Sequence, residues 1–304
     1  MIETHLVTTN GIELNVAEAG DGPLVVLLHG FPHTWQVWTE LIGPLARHHR
    51  VLAPDLRGFG DSTRTALQPD TEPFESAPPD AGTLDAGPLD AGTLDAGTLD
   101  AGTIAADIAG LIGDRPATVI AIDAAVPAAF LLGLTRPELV TRLVLIESTL
   151  GRLPGADDFY AAGPPWWFGF HAVPDLAETV LAGHEAEYVG WFYDQGTRNR
   201  GVRPDIRSAF GAAYSRPGAL RSALGVYRAL PRTIEQLAEA THTHCLTVPT
   251  TAIGAAPVGR ALEHQLRPIT DNLTSHLIPD CGHIVPLDRP HELLAALDLE
   301  APTT

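Results

Sequence analysis

Two short motifs combine an apolar segment with polar and small residues that can bind or react. The first, Leu24–Pro32, has the sequence LVVLLHGFP, a buried strand followed by a His-Gly turn. The second, Asp55–Ser62, has the sequence DLRGFGDS and follows another apolar segment. A turn after a strand frees backbone N–H groups, which can then point into a cleft. Either motif alone is also explained by an ordinary turn between a strand and a loop.

Together the two motifs resemble those of the α/β-hydrolase superfamily, which has HGxP in the oxyanion-hole loop and a D-x-R/P-G-x-G-x-S segment after the next strand. The resemblance covers nearly the whole chain. It implies an α/β fold with a mostly parallel eight-stranded sheet, helices on both faces and an inserted helical cap domain. It also implies a nucleophile on a tight turn from a strand to a helix, flanked by small residues.

The resemblance places the nucleophile at Asp123, because the turn after the predicted strand Thr118–Ile122 has the sequence AIDAA. No Ser or Cys occupies this turn. Ala121 and Ala125 stand where glycine is common, which predicts a feasible but more strained turn. Taken alone, Asp123 is explained equally well as the N-cap of the following helix.

Two further residues complete a catalytic triad by the same resemblance. Glu147 ends a predicted strand, at the acid position of epoxide hydrolases and haloalkane dehalogenases. The other frequent acid position, after the strand Thr247–Ile253, has the sequence GAAPVG and no carboxylate. His283, in DCGHIVPLDRP, matches the family's general base. Without this context, each of the two is explained by a structural role.

An aspartate nucleophile indicates a reaction at saturated carbon rather than at a carbonyl. The carboxylate displaces a leaving group and forms an alkyl ester, which water activated by a His-carboxylate pair hydrolyses. The electrophile is then an epoxide or a carbon–halogen bond. We expect the backbone N–H groups of Phe31 and Ala124 to form the oxyanion hole, and His283 held by Glu147 to activate water.

The donors that stabilise the leaving atom decide between these electrophiles, since an alkoxide needs a proton and a halide does not. Trp167 occupies the position of a His in Cif-type bacterial epoxide hydrolases, and Tyr227 matches the ring-opening Tyr of that group. The resemblance therefore implies that Trp167 orients the epoxide oxygen and that Tyr227 protonates it. Tyr214 is the alternative acid. Each of these residues is otherwise an aromatic core residue.

Aromatic side chains around this position favour a small epoxide of apolar or aromatic character as the substrate. The expected substrate-binding residues are Pro32, Trp166, Phe168, Trp191 and Tyr214. The Trp and Arg residues that dehalogenases place after the nucleophile are replaced by Ala124 and Pro127. The Trp-Tyr pair resembles that of epoxide hydrolases in bacterial aromatic-polyketide biosynthesis, a branch of natural-product metabolism.

The elements that must position these residues follow from the hydrophobic pattern. Short Val-, Ile- and Leu-rich segments alternate with helical patterns, which is typical of a parallel sheet covered on both faces. The predicted strands are Ile12–Ala17, Leu24–Leu28, Val51–Pro54, Thr118–Ile122, Leu143–Glu147, Thr247–Ile253 and Thr274–Ile278. Helical patterns cover Ile104–Ile112 and Pro127–Leu134. We predict a core of residues 1–150 and 236–304, with a helical cap at 151–235.

Residues 80–104 form five near-identical pentapeptides, DAGTL-DAGPL-DAGTL-DAGTL-DAGTI. Glycine in every unit weakens helix and strand alike, so we predict a surface insertion at about 66–103 rather than a fragment of β-helix. Eight acidic residues and no basic ones lie between Ala66 and Thr103. Much of the negative charge therefore belongs to this insertion.

The composition excludes several classes of function. The 304 residues carry a net charge of −18 and contain no Lys, so they offer no basic patch for nucleic acid or an anionic membrane. The absence of Lys also excludes Schiff-base and P-loop chemistry. Two Cys are too few for a disulfide framework or a metal cage, and we expect no metal or cofactor. No secretion signal or long apolar segment is evident, so we expect a cytoplasmic protein whose partners are a small molecule and water.

The sequence therefore predicts an epoxide hydrolase that converts an epoxide to a diol. A haloalkane or haloacid dehalogenase with the same triad is one alternative, which halide release would identify. A non-catalytic binding protein with a hydrolase fold is another, because the predicted turn at Asp123 lacks glycine and the chain carries a repeat insertion. An Asp123 side chain that points away from the cleft would favour this last hypothesis.

Overall fold

The structure is a computed structural model that describes residues 2–63 and 99–299. An eight-stranded sheet with the order β1-β2-β4-β3-β5-β6-β7-β8 forms its centre. The strands are β1 (Glu3–Thr9), β2 (Ile12–Ala19), β3 (Leu24–Leu28), β4 (Arg50–Pro54), β5 (Ala117–Ile122), β6 (Val140–Ile146), β7 (Thr250–Gly254) and β8 (Leu273–Leu277). Only β2 pairs antiparallel, with β1 and β4, within the described sheet. The predicted mostly parallel α/β sheet is confirmed.

The central strands are continuous apolar segments because helices cover both faces of the sheet. Every residue of β3 is buried, as are the last four of β5 and of β6. The carboxyl ends of these parallel neighbours meet at one edge of the sheet. Loops at this edge are where open α/β sheets bind their ligands.

Two groups of helices surround this sheet. The first group follows strands β3, β4, β5, β7 and β8 in the chain and consists of α1 (Thr39–Leu45), α2 (Ala101–Ile112), α3 (Val126–Thr135), α11 (Ala261–Leu266), α12 (Val285–Asp288) and α13 (Pro290–Leu297). Between β6 and β7 come α4 (Asp157–Tyr160), α5 (Trp166–Ala172), α6 (Leu176–Leu181), α7 (Glu185–Gly196), α8 (Pro204–Tyr214), α9 (Ala219–Arg228) and α10 (Leu230–Thr243). Helix α10 packs on α2 and α3, whereas α5 packs on α9 and α7 on α8. No helix among residues 2–63 and 99–299 has the length and apolar character needed to cross a membrane.

Strands β1, β6 and β7 differ most from the sequence-based expectation. Strand β6 begins at Val140, three residues before the predicted start at Leu143, and ends at Ile146, so Glu147 follows the strand. The edge strand β1 was not predicted, because most of its side chains are exposed and polar and its hydrophobic alternation is weak. Strand β7 begins at Thr250 rather than at Thr247. Pro249 directly precedes it and has no N–H to donate to a neighbouring strand.

The predicted insertion at about 66–103 lies mostly outside the described residues, which resume at Leu99. Asp100 is the N-cap of α2, and its side chain accepts a hydrogen bond of 3.0 Å from the Thr103 N–H. The Leu99 side chain is buried in the hydrophobic core, next to Gly58 and Gly225. Helix α2 therefore begins before Ile104, and the last repeat unit contributes to the folded core.

Candidate active site

Asp123 lies on a sharp turn between β5 and α3, with a left-handed backbone (φ +57°) that non-glycine residues rarely adopt. The Ser148 hydroxyl, after the neighbouring strand, donates a hydrogen bond of 2.9 Å to the Asp123 carbonyl oxygen and holds this turn. Gly30 faces the carboxylate, since a Cβ at Gly30 would lie 2.3 Å from Asp123 Oδ1. The N-cap of α3 is Ala125, so the interpretation of Asp123 as a helix cap is wrong.

Three side chains from different loops form a hydrogen-bonded line at the carboxyl edge of the sheet. His283 Nε2 lies 2.8 Å from Asp123 Oδ2, and His283 Nδ1 lies 3.2 Å from Glu147 Oε2. Glu147 is fully buried, and its other oxygen accepts a hydrogen bond from the Ala255 N–H. The buried acid can therefore orient the imidazole toward Asp123, as in a catalytic triad.

The two carboxylate oxygens of Asp123 have different partners. Oδ1 accepts a hydrogen bond of 2.9 Å from the Phe31 N–H, whereas Oδ2 faces His283. Ala124 follows Asp123 directly and lines the adjoining cavity. One carboxylate oxygen thus already lies against the N–H group expected of an oxyanion hole.

The charges of this line reinforce one another. Burial lowers the pKa of His283, but the hydrogen bonds and negative charges of Asp123 and Glu147 outweigh it and raise that pKa to about 10. Burial also opposes ionisation of Asp123, yet the hydrogen bond and charge of His283 hold the pKa of this carboxyl below its usual value. At neutral pH we therefore expect an imidazolium at His283 paired with the Asp123 carboxylate.

A cavity of about 530 Å³ opens above Asp123. Its wall includes Ser148 from the edge of the sheet and Phe168, Val226 and Tyr227 from the helices between β6 and β7. Most of the remaining wall is apolar: Leu99, Ala101, Ile104, Ala124, Pro127, Leu153, Pro154, Ala156, Pro164, Leu230 and Ile234. This size and lining suit a small organic molecule.

Comparison with known proteins agrees with this arrangement. The family model of the alpha/beta hydrolase fold matches residues 23–209. The chain belongs to this family. It is 32% identical over 241 residues to AB hydrolase superfamily protein YfhM of Bacillus subtilis, covering 75% of this chain and 73% of the relative. It is also 28% identical over 311 residues to the soluble epoxide hydrolase of Corynebacterium sp., covering 99% of this chain and 98% of the relative.

A solved structure extends the likeness to the whole fold. Cfl2 of Burkholderia cenocepacia is similar with a TM-score of 0.78 at 27% identity, covering 97% of this chain and 94% of that chain. The predicted resemblance to the superfamily is therefore confirmed. The helices between β6 and β7 are included in this similarity because the match spans nearly the full length.

In this α/β hydrolase, two of the predicted aromatic residues reach the cavity. Tyr227 and Phe168 both line it, with ring centroids 5.5 Å apart. Burial, with a smaller contribution from the negative charge of Asp123, raises the pKa of Tyr227 well above its usual value. The phenol therefore keeps its proton at neutral pH and faces the same space as the carboxylate.

Other predicted aromatic residues do not line the cavity formed by the described residues. The Tyr214 hydroxyl donates a hydrogen bond of 3.1 Å to the His33 carbonyl oxygen rather than facing the cavity, so Tyr227 is the better-placed candidate for the acid. Trp166 and Trp191 are 57% and 40% exposed, on the outer side of α5 and α7. They pack against each other at the surface rather than around a substrate.

Trp167 and Pro32 also differ from the expectation. The Trp167 indole packs edge-to-face on Phe192, at 5.5 Å between centroids, and is not part of the cavity wall. The Pro32 carbonyl accepts a hydrogen bond of 2.6 Å from the Tyr193 hydroxyl and holds the loop after β3. The described cavity wall therefore includes neither residue, and the orienting role of the Trp167 indole stays a prediction.

Sequence analysis missed two residues that the structure places at the site. Ser148 follows Glu147 directly, but no motif indicates that its hydroxyl reaches the Asp123 turn. His171 is buried against Tyr227, with ring centroids 4.5 Å apart. It lies one helical turn after Trp167 on α5, and that spacing was the available signal.

Proposed function

We propose that this α/β hydrolase is an epoxide hydrolase that forms an ester on Asp123 and hydrolyses it to a diol. The supporting observation is that the cavity is lined by the carboxylate of Asp123 and by the protonated phenol of Tyr227. A carboxylate in place of a hydroxyl or thiol suits attack at saturated carbon. The likeness to the Corynebacterium epoxide hydrolase, which spans nearly both chains, supports the same assignment.

In the first half-reaction, Asp123 Oδ2 attacks a ring carbon and the carbon–oxygen bond of the epoxide breaks. The departing alkoxide takes the hydroxyl proton of Tyr227, which leaves a phenolate. Asp123 Oδ1 keeps its hydrogen bond to the Phe31 N–H and becomes the carbonyl oxygen of the ester. Each oxygen of Asp123 therefore has one role, set by its partner in the resting site.

Ester formation changes the state of His283. The negative charge of Asp123 is a principal cause of the raised pKa of His283, and the ester is neutral. Burial then lowers that pKa with only Glu147 opposing it, so the imidazolium releases its proton. The released proton passes through solvent to the Tyr227 phenolate and restores the phenol. The imidazole thereby becomes a base only after the ester has formed.

In the second half-reaction, His283 Nε2 removes a proton from water, whose oxygen attacks the carbonyl carbon of the ester. Negative charge develops on Asp123 Oδ1, which the Phe31 N–H already faces and the Ala124 N–H is proposed to stabilise. Collapse of this intermediate expels the ester oxygen of the product, which takes the proton of the newly added hydroxyl group, so the carboxylate is restored and the diol is released. Glu147, fully buried beside Nδ1, stabilises the imidazolium that forms.

The test is the mass of the enzyme after reaction with styrene oxide and 1,2-epoxyalkanes. In His283→Gln, alkylation should survive and hydrolysis should stall, so an adduct with the full mass of the epoxide should accumulate on Asp123. Asp123→Asn is the matched control and should form none. Adducts from haloalkanes only, each lacking the halide, would identify a dehalogenase, and no adduct with either class would contradict nucleophilic catalysis.

A further inference from the structure

His171 is a buried polar residue that the two half-reactions do not use. Its side chain on α5 is fully buried, and the imidazole Nε2 lies 2.5 Å from the Tyr188 hydroxyl. Its Nδ1 is buried and has no hydrogen-bond partner among the described residues. A buried polar nitrogen without a partner destabilises the fold, so its retention calls for a physical explanation.

The protonation of this imidazole follows from its surroundings. Burial, assisted by the positive charge of Arg228, lowers the pKa of His171 to about 3, so the ring is neutral. A phenol is a stronger donor than a neutral imidazole, and an imidazole nitrogen is a stronger acceptor than a phenol oxygen. The Tyr188 O–H therefore donates to Nε2, which leaves the ring hydrogen on Nδ1. The partnerless atom is thus a donor.

Only one polar group among the neighbouring rings is left for this donor. The rings around His171 belong to Tyr227 at 4.5 Å, Phe31 at 5.1 Å, Tyr188 at 5.7 Å, Phe170 at 5.9 Å and Phe192 at 6.2 Å between centroids. Of the two that carry a hydroxyl, Tyr188 already uses it on Nε2. The Tyr227 hydroxyl makes no hydrogen bond to a described residue and is the one that the proposed reaction converts to an anion.

We propose that His171 is a positioning residue that stabilises the Tyr227 phenolate by donating its Nδ1–H to the phenolate oxygen. The inference rests on the proposed function, since it acts only when Tyr227 protonates an opening epoxide. The phenolate attracts the Nδ1–H far more strongly than the neutral phenol does. The hydrogen bond therefore strengthens as the ring opens, which lowers the barrier to alkylation rather than the energy of the resting site. Tyr188 contributes by fixing the tautomer.

Because Tyr227 lies in a low-dielectric environment, its phenolate has few other sources of stabilisation. Burial and the charge of Asp123 both raise the pKa of Tyr227, and each makes the phenolate less stable. During ring opening the charge of Asp123 is consumed, but the desolvation remains. A neutral donor beside the phenol offsets this desolvation without adding a positive charge that would compete with His283 for the Asp123 carboxylate.

The experiment measures alkylation alone, in the His283→Gln background, by quenched-flow and intact mass. The epoxides are 1,2-epoxypropane and 3,3,3-trifluoro-1,2-epoxypropane, whose departing alkoxides differ in basicity. His171→Phe keeps an aromatic ring but removes the N–H, and should slow alkylation by 1,2-epoxypropane by about 10- to 100-fold, at the low end of general acid effects. The loss with the trifluoro epoxide should be several-fold smaller, because a less basic alkoxide needs less help from the acid.

Two further variants separate this role from packing. His171→Asn places an amide N–H near the position of Nδ1 and should recover a large part of the rate. Tyr188→Phe removes the O–H that donates to His171 Nε2, so the ring hydrogen is no longer held on Nδ1. This variant should slow alkylation less than His171→Phe does, with the same dependence on the basicity of the alkoxide. His184→Phe, at an exposed histidine before α7, is the control and should change neither rate.

Equal losses with both epoxides, or no recovery in His171→Asn when it folds as judged by circular dichroism, would overturn the inference and leave the proposed function intact. If the background enzyme itself forms no adduct with any epoxide, the proposed function fails first and the inference fails with it. The two failures are therefore distinguishable in one set of measurements.

Discussion

Replacing Asp123 with Asn should change how the stability of this hydrolase depends on pH. The native state holds a proton on His283 up to a pH of about 10, whereas the unfolded chain releases it near the ordinary value of 6.5. Between these two pH values the native state binds more protons than the unfolded state. The free energy of unfolding must therefore fall as pH rises through this window.

The size of this effect follows from the same shift in pKa. From 6.5 to about 10, at about 1.36 kcal/mol per pH unit, the proton contributes on the order of 5 kcal/mol as an upper bound. The His283 side chain is 26% exposed, and water screens part of its interaction with the carboxylates. We expect an observed loss of about 2–3 kcal/mol between pH 7 and pH 10.

Asp123→Asn removes the negative charge that holds this proton, and the desolvation that lowers the pKa of His283 remains. Its free energy of unfolding should fall by about 2 kcal/mol less than that of the wild type over the same window. The assay is urea unfolding followed by tryptophan fluorescence at pH 7 and pH 10. Burial raises the pKa of Cys281 to about 12, but this thiol contributes equally to both proteins and cancels in the comparison.

Asp157→Asn is the matched control, because Asp157 lines the cavity but is exposed and makes no ion pair with His283. It should show the wild-type dependence on pH. Parallel curves for the wild type and Asp123→Asn would refute the inference that the resting His283 is an imidazolium. The proposed release of its proton on ester formation would then have no basis.

Three further variants test how the site is held. Ser148→Ala removes the hydrogen bond to the Asp123 carbonyl and should slow single-turnover alkylation by about 2- to 10-fold, with unchanged circular dichroism. Gly30→Ala should displace the Asp123 carboxylate and lower kcat by more than about 100-fold in steady-state assays. Tyr214→Phe should lower the free energy of unfolding by about 1 kcal/mol and leave alkylation unchanged, whereas Tyr227→Phe should slow alkylation by about 10²–10⁴-fold with little loss of stability. An equal loss of alkylation in both Tyr variants would contradict the assignment of the acid.

Much of the sheet was predictable because its central strands are buried on both faces. Leu24–Leu28 is identical in prediction and structure, and Thr118–Ile122 differs from β5 by one residue at its start. Such strands are continuous apolar segments bounded by turns, so pattern and structure coincide. The edge strand β1 has no continuous apolar segment, because most of its side chains are exposed and only its backbone pairing with β2 makes it a strand.

The hydrogen-bonded line of candidate catalytic residues was predictable for a different reason. Asp123, Glu147 and His283 follow predicted strands or a recognisable motif, and parallel strands bring their carboxyl ends to one edge. The residues on the helices lacked such a constraint. Trp167 and His171 lie one helical turn apart on the same side of α5, so the sequence does not tell which of them contacts Tyr227. That choice depends on how α5 packs against α9, and the aromatic residues all around the helix give no contrast between its faces.

The turn at Asp123 also shows why the absence of glycine does not favour a non-catalytic protein. Neither Ala121 nor Ala125 has a positive φ, since Ala121 lies in the extended backbone of β5 and Ala125 has φ −82°. Within this turn only Asp123 has a left-handed backbone, and the backbone that the Asp123 carboxylate approaches closely is that of Gly30. The methyl groups of Ala121 and Ala125 fit into the fully buried surroundings of the turn. Glycine is needed only at Gly30, where an added Cβ would strike the Asp123 carboxylate. The strained turn therefore points Asp123 into the cavity, with His283 and the Phe31 N–H as its partners, which is the orientation that nucleophilic attack requires.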